Sequence, residues 1–461
     1  MTLQKKRIWG WMAFDWATQP FYTLGLTFIF GPYFAVVATE AFMGQGLEEA
    51  AADARAQWVW SLGQTVAGLI IAFSAPLLGA WADNSGRKIP WIAAFSVIYV
   101  LASASIWGLT PDGSNLILML VVFYVGFIAA ESALNFVNAI LPSLGTEKEI
   151  GRISGSGAAM GYWGGVVSLF IMLLIFAEND QGVTLLGNPP PFGLDAEARE
   201  GTRSVGPFIA IWYVVFIIPF FLYVRDPKPV ARRAGGIGEV WGDLLATLRS
   251  VARRKSLLNF LVGSMFYRDA LNAVYAFGGV YAALVLDWSV VEIGVFGIVA
   301  AIAAAILTWV GGLVDQRVGP KPVITACIWV LIGVATIIVG MSRESFFGVP
   351  LAEGSTLPDI IFYICGAAIG GAGGALYAAS RTLMVRHTHP DRPAEAFGLF
   401  ALTGKATAFL APALITIFTA ATGSNQLGFL PVIFLFLVGL ILLRWVNKNG
   451  DRAEWSAGSQ H

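Results

Sequence analysis

The chain has 461 residues, of which 57% are hydrophobic and 13% charged, with a formal net charge of zero. A soluble protein carries about a quarter charged residues, so this chain has too little polar surface to face water all round, and lipid must be its main solvent. The zero balance offers no field for nucleic acid. Cys327 and Cys365, the only two cysteines, sit in apolar runs as small hydrophobes, with no CxxC and no disulfide framework.

Taken in order, the chain opens with Lys5-Lys6-Arg7 before a long apolar stretch. That stretch exceeds a signal core and lacks a small-residue cleavage site, so it is expected to stay as a first helix. A helix needs about 20 apolar residues to cross the hydrocarbon core. Twelve segments meet that test: 9–39, 58–82, 90–110, 116–141, 154–177, 205–224, 257–285, 290–314, 322–341, 358–382, 395–422 and 427–446. The fold class expected is an all-α membrane protein of twelve helices in two six-helix halves.

Alternate connections then share a side. Arg55, Arg199, Arg203 and Arg343 are the only basic residues on one side; Arg268, Arg381 and Lys405 lie inside segments; all the rest of the 29 fall on the other side. This asymmetry places both termini in the cytoplasm of an inner-membrane, multi-pass protein. The stretch 178–204 is a long outer loop, and its Asn188-Pro189-Pro190-Pro191 run favours extended backbone. The segment 225–256 is a basic cytoplasmic linker, and Val240, Leu244, Leu248 and Val251 give 239–251 the spacing of a surface amphipathic helix. It separates an N-terminal bundle, 1–224, from a C-terminal bundle with a short tail, 257–461.

The two halves repeat a loop. Gly79-Ala80-Trp81-Ala82-Asp83-Asn84-Ser85-Gly86-Arg87-Lys88 follows the second segment; Gly311-Gly312-Leu313-Val314-Asp315-Gln316-Arg317-Val318-Gly319-Pro320-Lys321 follows the eighth. In both, glycines permit a tight bend and an acid sits beside cations. Internal repeats of this kind build many transporters, whose halves rock about a central site.

The first loop resembles the signature loop of the major facilitator superfamily, with Trp81 for the usual Leu and Asn84 for the usual Arg. The chain is more specifically similar to the vacuolar amino-acid effluxer (autophagy-related) branch and its bacterial relatives. That similarity is carried by Phe14-Asp15-Trp16-Ala17, Gly151-Arg152-Ile153-Ser154-Gly155, Gly161-Tyr162-Trp163-Gly164-Gly165, Tyr267-Arg268-Asp269, Ser380-Arg381 and Phe397 through Lys405. The resemblance implies the major facilitator fold and a gating role for Gly79, Asp83, Gly86, Arg87, Asp315 and Arg317. Gly157, Gly161 and Gly165, and Gly366, Gly370 and Gly374, recur every four residues, as helices in close contact in lipid require. Tyr162 stands where an antiporter-type Gly-Pro pair would need proline.

Ionisable residues inside the membrane are costly and therefore functional candidates. Six stand out: Asp15, Glu131, Arg268, Asp269, Arg381 and Lys405. Polar stripes accompany four of them at helical spacing. They are Asp15, Gln19 and Tyr22; Glu131, Asn135 and Asn138; Arg268, Asn272 and Tyr275; Tyr377 and Arg381. A stripe must face protein or water, and the resemblance implies that these four segments line a central cavity. Glu131, Arg268 and Lys405 lie roughly 15 Å deep at 1.5 Å per residue. Gln19, Tyr22, Asn135, Asn138, Arg268, Asn272, Tyr275, Tyr377 and Lys405 are the substrate-binding candidates; Asp15, Glu131, Asp269 and Arg381 are candidates for proton coupling or ion pairing. Arg381 could equally snorkel, Asp15 could cap or pair structurally, Glu131 and Arg268 could serve in purely structural ion pairs, and Asp269, which points about 100° from Arg268, could be a packing contact.

Three acids and three bases suit a zwitterion better than a simple ion. Gly404-Lys405 lacks the earlier glycine of a phosphate loop, His387 and His389 read as loop histidines, and no nucleophile–base pair stands out. The expectation is a secondary transporter, not an enzyme, without metal or cofactor and monomeric. Its partners are membrane lipids and a small polar or zwitterionic solute, with an amino acid one such solute and protons one source of drive. A lipid or lipophilic-drug transporter and a non-transporting sensor are the alternatives.

Overall fold

The computed structural model describes residues 2–179, 181–226, 242, 249 and 251–451. The amphipathic helix expected over 239–251 lies almost wholly outside them. Each of the twelve expected segments is helical. Among the described residues ten helices are long and apolar enough to cross a membrane. Of the other two, Lys255–Val285 has the length but carries Lys255, Arg268 and Asp269, and Leu427–Leu443 is apolar but short.

The helices are α1 (Leu3–Pro20), α2 (Phe30–Met43), α3 (Glu49–Ser85), α4 (Ile89–Ser105), α5 (Leu116–Asn138), α6 (Glu147–Ile171), α7 (Glu200–Arg203), α8 (Val205–Phe216), α9 (Ile218–Tyr223) and α10 (Lys255–Val285). There follow α11 (Val290–Val318), α12 (Pro320–Gly340), α13 (Leu357–His387), α14 (Pro393–Ala406), α15 (Leu410–Thr422) and α16 (Leu430–Leu443). A two-stranded hairpin, Ser345–Phe346 with Val349–Pro350, follows α12; Phe347 and Gly348 turn it with positive φ, the backbone that a tight hairpin turn requires.

Two expected single helices are interrupted. In the first segment a wide-turned stretch, Phe21–Phe28, joins α1 to α2. Pro20 causes this, because it has no N–H to give the carbonyl of Trp16. That carbonyl instead accepts from the Trp212 indole at 3.1 Å. In the eleventh segment α14 ends at Ala406 and α15 begins at Leu410. Pro412 cannot donate back to Ala408 and is tolerated in the first turn of a new helix, so the helix restarts just ahead of it.

The chain divides into two compact units. The first comprises Met1–Ile71, Gly86–Val137 and Met160–Val230; the second comprises Ala72–Ser85, Asn138–Ala159 and Ala231–His461. The first has an aromatic core in which Phe123 stacks on Phe21 at 5.0 Å, on Phe30 at 4.9 Å and on Trp60 at 5.3 Å. Gly161, Gly164 and Gly165 of α6 leave room for α1, meeting Asp15, Trp16 and Gln19 there. In the outer loop Pro190 is extended as its proline run leads one to expect, with φ −54° and ψ 140°, and the loop's ends are tied together: Glu178 accepts from the backbone and hydroxyl of Thr202 and pairs with Arg199 at 3.3 Å, while Arg203 lies over Trp107 at 4.8 Å.

In the second unit the segment after α16 is strapped across the ends of three helices. Lys321 donates to the Val446 carbonyl at 2.7 Å, Arg386 donates to Lys448 at 2.7 Å, and Arg254 pairs with Asp451. Beneath it His387 stacks on Phe260 and shares a 2.8 Å hydrogen bond with Ser256.

Candidate solute site and end contact

In the second unit Arg268 projects from α10 and is 9% exposed. Its guanidinium lies 4.3 Å from the Phe400 ring centroid and 5.5 Å from that of Tyr377, and it donates to the Phe400 carbonyl at 2.9 Å. Gly404, one turn further along α14, has no Cβ and so admits the guanidinium; a Cβ there would strike it. Among the described residues no carboxylate pairs with Arg268. The cation is held by two π faces and one carbonyl, an arrangement that leaves a forked donor to receive an anion.

Its neighbour Asp269 is turned away and 2% exposed, with Oδ2 accepting from the backbone N–H of Ala411 at 2.9 Å. That N–H belongs to the first turn of α15, where helices leave donors unsatisfied. Consecutive residues of α10 thus hold the two sides of the break: Arg268 the end of α14, Asp269 the start of α15. Lys405 follows Gly404 in the last turn of α14. Asn272 is exposed and Tyr275 half-exposed, its hydroxyl against Gly373 of α13.

The other end of α14 meets the loop repeat. Gly79 of α3 lies against the Ala394 carbonyl, Gly398 against Ala75 and Pro76, and Asp83 accepts from the Glu395 N–H at 2.8 Å. A carboxylate at a helix N-terminus satisfies an orphan donor and faces the positive end of the dipole. The second copy makes a different contact. Gly312 and Gly155 bring α11 and α6 together backbone to backbone, and Asp315, 2% exposed, lies over Gly151. Arg317 is exposed in the last turn of α11. Gly86 makes the turn after α3 with φ +66°, and beyond Arg87 the N–H groups of Lys88 and Ile89 are capped by Asp226 at 2.9 and 3.0 Å.

Arg381 does not snorkel. It is 3% exposed and donates to the Ser154 hydroxyl at 2.9 Å, the Ser154 carbonyl at 2.6 Å and Asn138 Oδ1 at 3.2 Å. The stripe Glu131, Asn135 and Asn138 is therefore split in its duties, because Asn138 serves Arg381. In the first unit Glu131 accepts from the Tyr22 hydroxyl at 3.1 Å, joining two expected stripes, and Gln19 lies a turn earlier beside Gly165. Asn135 and Asp15 are buried. Phe400 and Ser154 were not among the expected site residues. The signal for Phe400 was its place one turn before Gly404 in the apolar run; Ser154 carried none beyond its Gly-rich neighbours. No group of three or more His, Cys, Asp or Glu that could hold a metal occurs among the described residues.

The sequence matches the family described as "Vacuole effluxer Atg22 like" over residues 3–456. A relative in Bacillus subtilis (strain 168), an uncharacterized MFS-type transporter YxiO, is 24% identical over 95% of this chain and 94% of its own length. Autophagy-related protein 22-2 of Neosartorya fischeri is 23% identical over 66% of this chain, which spans about half that relative's length. Among solved structures, the fucose:proton symporter FucP of E. coli aligns with a TM-score of 0.66 over 96% of this chain and 98% of its own at 13% identity. The human organic anion transporter MFSD10 gives 0.65 over 96% and 100% at 14%. The proton:xylose symporter XylE gives 0.66 over 98% of each chain at 13%. With the fold shared by these transporters and a family match along nearly its whole length, the chain is a multi-pass membrane transporter of the major facilitator type and belongs to the Atg22-like effluxer family.

Proposed function

We propose that this transporter moves a small polar solute with an anionic end, a zwitterion such as an amino acid, by alternating access through twelve crossings with both termini in the cytoplasm. The observation that carries this reading is Arg268, a buried guanidinium between Phe400 and Tyr377 with no carboxylate paired to it among the described residues. A site prepared for a cation or a neutral lipid has no use for such a group. A carboxylate of the solute would meet the guanidinium fork in two-point geometry, and Lys405 and Tyr275 extend the polar lining from the same bundle. The Asp83–Glu395 contact supports a closed cytoplasmic gate in this arrangement. Two solved proteins of this fold, FucP and XylE, are proton symporters, and the hydrogen-bonded Tyr22–Glu131 pair supports proton coupling here.

The test is flux into proteoliposomes from a panel of amino acids, monocarboxylates, sugars and amines. Carboxylate-bearing solutes should be moved, and Arg268→Lys, which keeps the charge but loses the fork, should weaken their binding about tenfold. Transport confined to sugars or amines, or equal affinity in the Lys variant, removes Arg268 from the solute site.

A further inference from the structure

Asp269 has no role in receiving an anion, yet it is one of the most buried charged groups of the second unit, 2% exposed, and its Oδ1 has no hydrogen-bond partner among the described residues. Its one hydrogen bond goes to the Ala411 N–H at the start of α15. The half-helix on the other side of the break, α14, is 14 residues long, about 21 Å at 1.5 Å per residue. At its far end sits the Asp83–Glu395 contact, with Gly79 against Ala394; at its near end sit Phe400 and Gly404, which wrap Arg268.

We propose that Asp269 is a positioning residue, the fulcrum of a lever formed by α14. By capping α15 it fixes the break, and the fixed break sets where α14 can stand. A displacement of α14 at Arg268 must then appear at Asp83, because a half-helix with an intact hydrogen-bond ladder moves as a rigid element while the three residues between the two halves absorb the change. The lever ties the solute site to the gate, so its purpose rests on the reading of Arg268 given above. Its mechanics do not, and the cap needs only an acceptor oxygen at position 269, not a charge.

The experiment uses the full-length protein with Cys327→Ala, Cys365→Ala and a reporter, Ala394→Cys, placed where α14 meets Gly79. Its alkylation by a water-soluble maleimide is timed with no solute present. Asp269→Ala should raise the rate about tenfold, the order expected on losing a buried hydrogen bond to a charged group. Asp269→Asn, which keeps an acceptor, should label like the parent. A folded Asp269→Ala protein that labels at the parental rate overturns the lever, since a cap with only local effect would leave the far end of α14 unmoved. An Asn variant as fast as the Ala variant overturns the cap by showing that charge is what matters. Should Asp269→Ala not fold, Ala411→Pro deletes the same N–H from the other side, within the first turn of α15 where that N–H has no partner in its own helix, with the same expectation. Because no solute enters the assay, loss of the Arg268 reading would leave this result standing, and the reverse also holds.

Discussion

Gly404 and the guanidinium of Arg268 compete for one volume: the arginine lies where the glycine's missing Cβ would be. The obstructing atoms are the far end of a flexible side chain, so Gly404→Ala should fold. It should displace the guanidinium from between Phe400 and Tyr377 and weaken binding of a carboxylate solute about tenfold, the factor for one misplaced charge-assisted bond. Thermal-shift titration with a transported solute checks this. A ligand at 100 times its Kd stabilises by about 2.7 kcal/mol, so the lost shift is readily seen.

Glu131 and Tyr22 can be separated by conservative changes. Glu131→Gln should abolish the component of uptake driven by an imposed pH gradient while solute-for-solute exchange persists. Tyr22→Phe removes the donor but not the acid, and should leave gradient drive present at a reduced rate. If wild-type uptake ignores the gradient, proton coupling is wrong.

At the proposed gate, Asp83→Asn keeps an acceptor for the Glu395 N–H but loses the charge that faces the start of α14, an effect of about 0.3–1 kcal/mol. Asp83→Ala loses both and should cost about 1.5–3 kcal/mol of the closed arrangement. Labelling of the Ala394→Cys reporter should therefore rise in the order parent, Asn, Ala. Identical rates in all three would show that the glycine contacts alone hold the gate.

Arg381 is a clamp. It gathers Ser154 of α6 and Asn138 at the end of α5 onto α13, so Arg381→Ala strips at least these three hydrogen bonds and should destabilise by about 3 kcal/mol or more. Arg381→Lys keeps the charge without the fork and should recover only part of that. Thermal unfolding in detergent measures both; a Lys variant as stable as wild type would mean that charge, not geometry, is what Arg381 contributes.

Much of this was legible in the residues. The positions of the helices followed from apolar length, ten of them long and apolar enough to span among the described residues, and the polar stripes were proposed from 3.6-residue spacing. Spacing also separated Asp269 from Arg268, and the structure gives them different partners. What spacing does not show is where a helix is interrupted; that signal lies in Pro20 and Pro412 themselves, which cannot donate to the helix ladder. Nor could spacing apportion a stripe. Asn138 shares a face with Glu131, but its partner, Arg381, lies more than two hundred positions away, and only folding brings the two together.

The strap over the second unit has a consequence for biosynthesis. Residues 444–451 are translated after every helix they tie, so α10, α12 and α13 enter the membrane with their ends unsecured and are fastened only when Lys321, Arg386 and Arg254 find that late segment. Until then Ser256 and His387 are uncovered, and the half-made bundle is open to proteases. A stop codon just after Leu443 should thus leave helices α1 to α16 whole and still yield a short-lived protein. Pulse-chase decay of that truncation, set against the full chain, reads the lifetime of the unfastened bundle.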